Sequence, residues 1–409
     1  MSVLLQLALR NVFRNKRRTG ITFFSIVSGM VGMIVFGGFV SYTFWGLRES
    51  TIHTQVGHIQ IYKKGYSEQG VAQPSLFLLE HTDTLFRSLR AIKSIQVATS
   101  RLSAAALLST GEKTVSCKII GVDPKEDASF SSFETVVYGS QLGPNSPEDG
   151  GVIGIELMHA LGKKVGDYLT VLSTTKEGML NAIEFKIIGV SQTGSQEYDS
   201  VFVKLPLKKV QSLLGTQGVE KIVLLLNKTS DMEHVLVQLT PLLEQKENPI
   251  EYKTWQELSP FYGKVVNIYK GIFKLVTTII GTIILLGVTN TMSMSIFERV
   301  REIGTLRAMG TSRQAILSLF ILEGFLLGSI GGILGVLVSV IVAKLINISG
   351  GIAVSAPPGM SKGYTAFIWT PFSLLSFSFL FIVLVTTLSS LYPAYRASRL
   401  RIVEALAYH

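Results

Sequence analysis

Four long apolar runs are the most prominent pattern along the chain. Three of them, 19–47, 275–297 and 363–395, contain no charged residue, and the fourth, 314–343, contains only Glu323. A helix needs about 20 apolar residues, each rising ~1.5 Å, to cross the ~30 Å hydrocarbon core of a bilayer. We therefore predict four transmembrane helices.

The segment between the first and second runs has a different pattern. Short β-rich stretches such as "GHIQIYKK" and "IEFKIIGV" alternate with helical patterns such as "IGIELMHALG" across residues 48–258. This segment is long enough to bury a core of its own. The predicted fold class is an α-helical membrane protein with four transmembrane helices plus a large α+β extracytoplasmic domain inserted between the first and second.

The same patterns predict the domain organisation. It consists of an interfacial helix at 1–18, a first transmembrane helix and stalk at 19–47, the extracytoplasmic α+β domain at 48–258, a second stalk and transmembrane helix at 259–297, a cytoplasmic helix at 298–313, a third transmembrane helix at 314–343, an outer loop at 344–369, a fourth transmembrane helix at 370–392 and a cytoplasmic tail at 393–409. The second stalk is expected to enter the membrane as one continuous helix. Pro393 sets the last boundary, because proline interrupts a helix.

Composition and charge predict the orientation. With 47% hydrophobic and 16% charged residues, the chain is too apolar for an ordinary soluble protein. The formal net charge of +10 is concentrated in 1–18, 298–313 and 393–409, whereas 48–270 is nearly neutral. Lys and Arg resist translocation, so we expect these three basic segments in the cytoplasm. Charge at the membrane borders also argues against nucleic-acid binding, which a basic protein would otherwise suggest.

The stretch "SIFERVREIGTLRAMGTSR", residues 295–313, separates the second and third apolar runs. We predict that the helix of the second run continues through it and ends at Gly310, since glycine adopts a positive φ without steric cost. Thr311 and Gln314 have the spacing of a capping box, so Thr311 is expected to cap the next helix.

One face of this charged stretch is apolar. Hydrophobic residues recur along it at helical spacing: Val300, Ile303, Leu306 and Met309. The loop offers no obvious core to bury them, so we expect this face to dock onto another protein. A loop that only sets the topology of the chain is the alternative, since cytoplasmic loops are commonly basic.

The third apolar run contains small residues at a spacing typical of packed helices: Gly324, Gly328, Gly331, Gly332 and Gly335. Glycines at this spacing let two helix backbones approach closely, because packing drives association inside a membrane. The pattern leaves open whether the neighbouring helix belongs to the same chain or to a second copy.

Two polar residues inside the apolar runs are further candidate sites. Glu323 lies ~15 Å beyond Arg313 by helix rise, and a charge in hydrocarbon costs about 2.5 kcal/mol or more. We interpret Glu323 as a buried structural hydrogen-bonding residue, with a proton or ion site as the alternative. Asn290, near the cytoplasmic end of the second run, is interpreted as a polar contact between helices.

No motif indicates chemistry on this chain. A P-loop requires G-x-x-x-x-G-K-[ST], and this string does not occur. The six His residues lack the spacing of a zinc site, and the single Cys117, in a strand pattern, is expected to be a buried thiol. We therefore expect a non-catalytic subunit that binds no metal and no cofactor of its own.

Several stretches resemble a known family. "NTMSMSIFERVREIGTLRAMGTSRQAI", "LEGFLLGSIGGILG" and "YPAYRASRLRIVEALAY" resemble the FtsX-like permease family of ABC transporters, of the LolC/LolE and MacB type. "GVIGIELMHALGKKVGDYLTVLS" resembles the extracytoplasmic domain of the same permeases. The resemblance implies four transmembrane helices, a dimer of permease chains, and a separate cytoplasmic ABC ATPase dimer that carries the ATP and Mg.

The resemblance also implies which residues couple to the ATPase. They lie on the helix between the second and third spans: Glu298, Arg299, Arg301, Glu302, Ile303, Gly304, Leu306, Arg307 and Gly310. Glu302 and Arg307 are expected to seat in a groove of the ATPase.

The expected function is a permease subunit in a bacterial cytoplasmic (inner) membrane, with its large domain in the periplasm. It would transmit ATP-driven motion to that domain to release or export a lipoprotein, lipid or other amphiphile. The alternatives are a macrolide- or peptide-type efflux permease that acts with a periplasmic adaptor, and an FtsX-like transmitter of signals to cell-wall hydrolases. Expected partners besides the ATPase are a second permease chain, identical or related, membrane lipid, and a periplasmic adaptor or carrier.

Overall fold

The computed structural model describes residues 2–70, 73–130, 133–243, 249–356 and 362–406. The chain divides into two compact units. We call the first the helical unit; it comprises Met1–Phe44, Val265–Ala353 and Thr365–His409. The second, which we call the α/β unit, comprises Trp45–Lys264 and Val354–Tyr364.

Four of the described helices are long and apolar enough to cross a membrane, which confirms the number predicted from the apolar runs. They are α2 (Lys16–Thr51), α10 (Pro260–Glu298), α12 (Arg313–Ile348) and α13 (Phe372–Ser398). A π-helical turn, Ile52–Val56, follows α2 directly. Three short helices complete the helical unit: α1 (Ser2–Arg14), α11 (Val300–Ala308) and α14 (Ile402–Leu406).

The predicted end of the fourth apolar helix at residue 392 is wrong, because α13 continues through Pro393 to Ser398. Proline cannot donate to the carbonyl four residues before it, which here is that of Ser389. The Thr289 hydroxyl of α10 donates to that carbonyl instead. A neighbouring helix therefore compensates for the proline, as is typical of transmembrane helices.

The predicted glycines of α12 do pack closely, and their neighbours are helices of the same chain. A Cβ at Gly324 would lie 2.7 Å from Ser390 Cβ of α13, and one at Gly335 would lie 2.6 Å from Met30 Sδ of α2. Gly328 and Gly332 also face α13, whereas Gly331 faces α2. The question that the sequence left open is therefore answered, since both glycine faces are covered within one chain.

The α/β unit is built on one mixed sheet, and the described residues give it ten strands: β1 (Ile59–Lys63), β2 (Ile95–Ser109), β3 (Thr114–Val122), β4 (Thr135–Gly139), β5 (Gly150–Gly154), β6 (Tyr168–Thr174), β7 (Leu180–Gln192), β8 (Phe202–Pro206), β9 (Lys221–Leu226) and β10 (Ile250–Thr254). The strand order is β10-β1-β9-β2-β3-β8-β5-β7-β4, and β6 pairs with β2 and β7. The β3–β8 and β5–β7 pairs are parallel.

Short helices cover this sheet: α3 (Asp83–Arg90), α4 (Pro124–Phe130), α5 (Ile155–Leu161), α6 (Gln196–Asp199), α7 (Leu207–Leu214), α8 (Met232–Leu243) and α9 (Trp255–Leu258). Two apolar cores lie along it, one around Phe185 and Val171 and the other around Ile59 and Leu224. Cys117 is buried in the first core, as expected, and burial raises the pKa of its thiol to about 12. A separate pair of short strands, β11 (Ile352–Val354) and β12 (Tyr364–Ala366), precedes α13.

Candidate coupling site on the helical unit

The predicted coupling residues lie on and around α11, but they do not continue the preceding helix. α10 ends at Glu298, and Arg299 has φ −117° and ψ 11°, so the backbone turns before α11 begins at Val300. The prediction of one unbroken helix through residue 310 is wrong at this residue. The Arg299 side chain points inward to a buried partner on α12 and is only 10% exposed.

The end of α11 follows the expected glycine cap. Gly310 has φ +93°, its amide donates to the Arg307 carbonyl, and the Thr311 amide donates to the Leu306 carbonyl. This pair of bonds is a Schellman motif. The next cap is shifted by one residue from the prediction, because Ser312, not Thr311, accepts the Ala315 amide at the start of α12.

The apolar face of α11 is buried by the chain itself, so the expectation that it has no core to bury it is wrong. Ile303 packs with Ile316 and Phe320 of α12 and with Ala394 and Ala397 of α13. Val300 and Gly304 are also buried, and Leu306 is partly buried against the same cluster. α14 packs against α11 as well. Of the four predicted apolar residues, Met309 is the exception, with 70% of its surface exposed.

The side of α11 that the chain leaves exposed is therefore mainly polar. The exposed residues there are Arg301, Glu302, Thr305, Ala308 and Met309. Arg307 is partly buried, and among the described residues its Nε atom has no hydrogen-bond partner.

The acidic residues of this site are paired within the chain. Glu302 lies 2.7 Å from Arg14 of α1 and 3.5 Å from Arg299, although 48% of its side chain stays exposed. Glu298 pairs with Arg18 of α2. Arg14 and Arg18 belong to the basic segment 1–18, from which the sequence predicts only the orientation in the membrane. No spacing along the chain connects them to α11.

Glu323 of α12 is buried, with 3% of its surface exposed, and its Oε1 atom accepts two hydrogen bonds. Arg299 Nη1 lies 3.1 Å away and Asn11 Nδ2 of α1 lies 2.6 Å away. The interpretation of Glu323 as a buried hydrogen-bonding residue agrees with these contacts. Sequence reasoning identified neither partner.

Asn290 is exposed on the surface of α10, so its polar contact between helices stays a prediction. Its neighbours Thr289 and Thr291 do make polar contacts with other helices. Thr291 bonds Thr22 of α2 at 3.1 Å, and Thr289 bonds α13.

Comparison with known families gives two matches. A family model described as the FtsX-like permease C-terminal region matches residues 274–402. A second, described as the MacB-like periplasmic core domain, matches residues 19–242. The first match includes α11 and also Glu323 of α12, and the second includes most of the α/β unit.

The chain is also similar to individual proteins. The chain is 24% identical over 363 residues to the lipoprotein-releasing system transmembrane protein LolC of Neisseria meningitidis, covering 81% of this chain and 83% of that protein. It is 28% identical over 215 residues to the macrolide export ATP-binding/permease protein MacB of Brucella abortus, covering 50% of this chain but only 30% of that protein. The crystal structure of the periplasmic region of MacB from Actinobacillus actinomycetemcomitans matches with 14% identity and a TM-score of 0.37, covering 52% of this chain and 94% of that one.

Proposed function

Because the chain belongs to the family of FtsX-like ABC transporter permeases with a MacB-like periplasmic core domain, we propose that it transmits the motion of a separate ATPase to its α/β unit to release or export an amphiphile. Members of this family are ABC transporter permeases that work with a partner ATPase. The amphiphile we propose first is a lipoprotein or lipid.

The observation that carries this proposal is the continuity of α10 and its junction with α11. α10 runs without interruption from Pro260 to Glu298, and α11 follows after the single residue Arg299. ATP binding would close the two ATPase subunits and move α11 through its exposed side. The uninterrupted α10 would carry that displacement along its length toward the α/β unit, so no cargo needs to pass between the apolar helices.

The proposed location is the bacterial inner membrane, with the α/β unit in the periplasm. Basic residues support this orientation, because Arg14, Arg18 and Arg299 cluster with the ends of α1, α10 and α11. Positive charge of this kind marks the cytoplasmic side of a membrane protein. ATP and Mg would bind to the partner ATPase.

A second permease chain is part of the proposal, and the surface of α10 supports it. Asn290 is exposed together with Ile283, Leu286 and Met294 of the same helix. An amide facing hydrocarbon is unfavourable, whereas an amide at a helix–helix contact can hydrogen-bond. We therefore expect this face of α10 to meet the second chain, either a copy or a related permease.

Two other functions fit the same architecture. The similarity to MacB, whose name includes macrolide export, favours an efflux permease that acts with a periplasmic adaptor. An FtsX-like transmitter to cell-wall hydrolases needs the same coupling but no transported cargo. The similarity to LolC covers 83% of that protein and is the reason for placing lipoprotein release first.

Copurification followed by reconstitution tests the proposal. The chain would be purified with its ATPase in nanodiscs, and bound molecules identified by mass spectrometry. An acylated protein supports lipoprotein release, an adaptor supports efflux, and a hydrolase supports signalling. Glu302→Ala and Arg307→Ala should each lower permease-stimulated ATP hydrolysis without unfolding the chain, while Lys93→Ala, which removes an exposed charge on the α/β unit, should not. Full stimulation in both coupling variants would contradict docking at α11.

A further inference from the structure

A cluster of three polar side chains, two of them buried and one partly buried, joins four helices of the helical unit. Arg299 stands at the turn between α10 and α11, Glu323 is on α12, and Asn11 is on α1. The side chains of Glu323 and Arg299 are 3% and 10% exposed, so both charges are largely removed from water. The cluster lies next to α11 but is not part of its exposed side.

The chemistry of the cluster makes its geometry specific. A carboxylate buried without a partner is strongly unfavourable, so the charge of Glu323 requires the guanidinium of Arg299 close to it. The 3.1 Å contact is a charge-assisted hydrogen bond, which is directional as well as strong. Arg299 can maintain it only while the turn between α10 and α11 keeps its orientation. The position of α12 therefore constrains the direction in which α11 leaves α10.

Asn11 extends the same constraint to the N-terminal helix. Its Nδ2 atom lies 2.6 Å from the carboxylate oxygen that Arg299 also contacts. Ala8 and Val12 of α1 are buried on either side of it along the helix. A second link between α1 and α11 is the 2.7 Å contact of Arg14 with Glu302. α1 and α11 are thus connected both through the buried carboxylate and at the surface.

We propose that Glu323 is a positioning residue for coupling: it holds α11 through Arg299 and α1 through Asn11, so that both helices move with α12 as one body when the ATPase moves. This inference rests on the function proposed above. It gives α1 a role in coupling, in addition to its role as an interfacial helix. It also explains why the apolar run 314–343 contains one charged residue.

The test uses the full chain with its ATPase in nanodiscs. The variants are Glu323→Gln, Arg299→Gln, the double variant, Glu323→Asp and Asn11→Ala, with Ser318→Ala, exposed on α12, as the control. The readouts are the amount of ATPase that copurifies, permease-stimulated ATP hydrolysis, and the mobility of a spin label attached to Thr305→Cys. The native Cys117 is buried, so the label reports on α11.

We expect Glu323→Gln and Arg299→Gln each to lower stimulated hydrolysis about tenfold, a size typical of coupling between sites, while the ATPase still copurifies. The double variant should be no worse than either single variant, because each single variant already breaks the contact between Arg299 and Glu323. The label should become more mobile in these variants, and Glu323→Asp should restore part of the hydrolysis. Asn11→Ala should lower hydrolysis by a smaller factor and still mobilise the label.

Three outcomes would overturn the inference. The first is full coupling in Arg299→Gln with loss in Glu323→Gln, which would indicate that Glu323 acts alone, as a proton site would. The second is a double variant whose loss is the product of the two single losses. The third is wild-type label mobility in both Asn11→Ala and Glu323→Gln. If no ATPase copurifies with the wild-type chain, the proposed function fails, but the label mobility still tests the cluster.

Discussion

The hydroxyl of Thr289 on α10 lies 3.1 Å from the main-chain oxygen of Ser389 on α13. That oxygen is the one that Pro393 leaves without its usual amide donor, since proline has no N–H. The contact explains how α13 continues to Ser398 instead of ending at the proline. It also ties the second and fourth apolar helices together.

Replacing Thr289 with valine should therefore destabilise the chain only while Pro393 is present. Valine has nearly the shape of threonine but leaves the Ser389 carbonyl without a donor, at a cost of about 1 kcal/mol. We expect a lower midpoint of thermal unfolding in detergent for Thr289→Val, and recovery in Thr289→Val/Pro393→Ala, because alanine restores the amide. Thr278→Val is the control, since the exposed Thr278 hydroxyl donates to the Lys274 carbonyl of its own helix. Equal losses with and without Pro393 would contradict the explanation.

Gly328→Ala should disrupt the contact between α12 and α13. A Cβ at this position would lie 2.0 Å from Thr386 Oγ1 and 3.1 Å from the Val383 Cα, so the two helices would have to separate. Overpacking of this kind costs about 1–3 kcal/mol. The measurement is the thermal midpoint and the yield of folded chain. Gly20→Ala on α2 meets nothing within 4 Å and should be tolerated. An unchanged midpoint for Gly328→Ala would show that α12 and α13 are not in close contact.

Met309→Glu should weaken ATPase binding without affecting the fold. Met309 is 70% exposed at the end of α11, and a surface substitution of this kind changes stability by only about 0.5 kcal/mol. A carboxylate placed in a docking contact without a partner is unfavourable, so we expect at least about a tenfold loss of affinity. The affinity would be measured by titrating ATPase onto nanodiscs. Val237→Glu, at a residue 71% exposed on α8, is the matched control. Loss in the control alone, or in neither variant, would place the docking surface elsewhere.

The local patterns of the sequence predicted the helices well but not what covers them. The four apolar helices follow from the four long apolar runs, and the end of α11 at Gly310 follows from the conformational freedom of glycine. The spacing also predicts the apolar face of α11, apart from the exposed Met309, but it does not show that the chain itself buries this face. The boundary at Pro393 contributes to the wrong expectation that no core buries it, because Ala394 and Ala397, which cover Ile303 together with Ile316 and Phe320 of α12, lie beyond that boundary on α13. A compensating hydrogen bond from another helix leaves no sign in the local sequence.

The cluster of Arg299, Glu323 and Asn11 shows that local patterns also fail to predict which residues meet at the candidate site. Glu323 stood out, since a lone acid in an apolar run is unfavourable unless it is paired. Its partners are separated from it by 24 residues for Arg299 and 312 residues for Asn11. Periodicity connects residues three or four apart on one helix, so it cannot connect these three. In the sequence, Arg299 does not differ from the other arginines of a basic loop. Only the turn at the end of α10 shows that its side chain points inward.

The α/β unit contains a histidine whose neutral form is required by its contacts, which predicts a pH dependence of stability. The Leu226 amide donates to His58 Nδ1 at 3.2 Å, so the ring proton lies on Nε2, 3.1 Å from Thr229 Oγ1. Burial, together with the nearby His53, lowers the pKa of His58 from 6.5 to about 4. Since the folded state disfavours the protonated ring, the stabilisation is complete above pH 6.5 and is lost as the pH falls toward 4.

The full loss corresponds to about 3 kcal/mol. Thermal midpoints of the full chain, measured at several pH values across this window, should therefore fall more steeply for the wild type than for His58→Gln. Glutamine can accept from the Leu226 amide and donate to Thr229 without titrating. His234→Gln, at an exposed histidine on α8, should retain the wild-type slope. Parallel pH profiles for the wild type and His58→Gln would show that the ring is not held neutral, and that β9 does not depend on this contact.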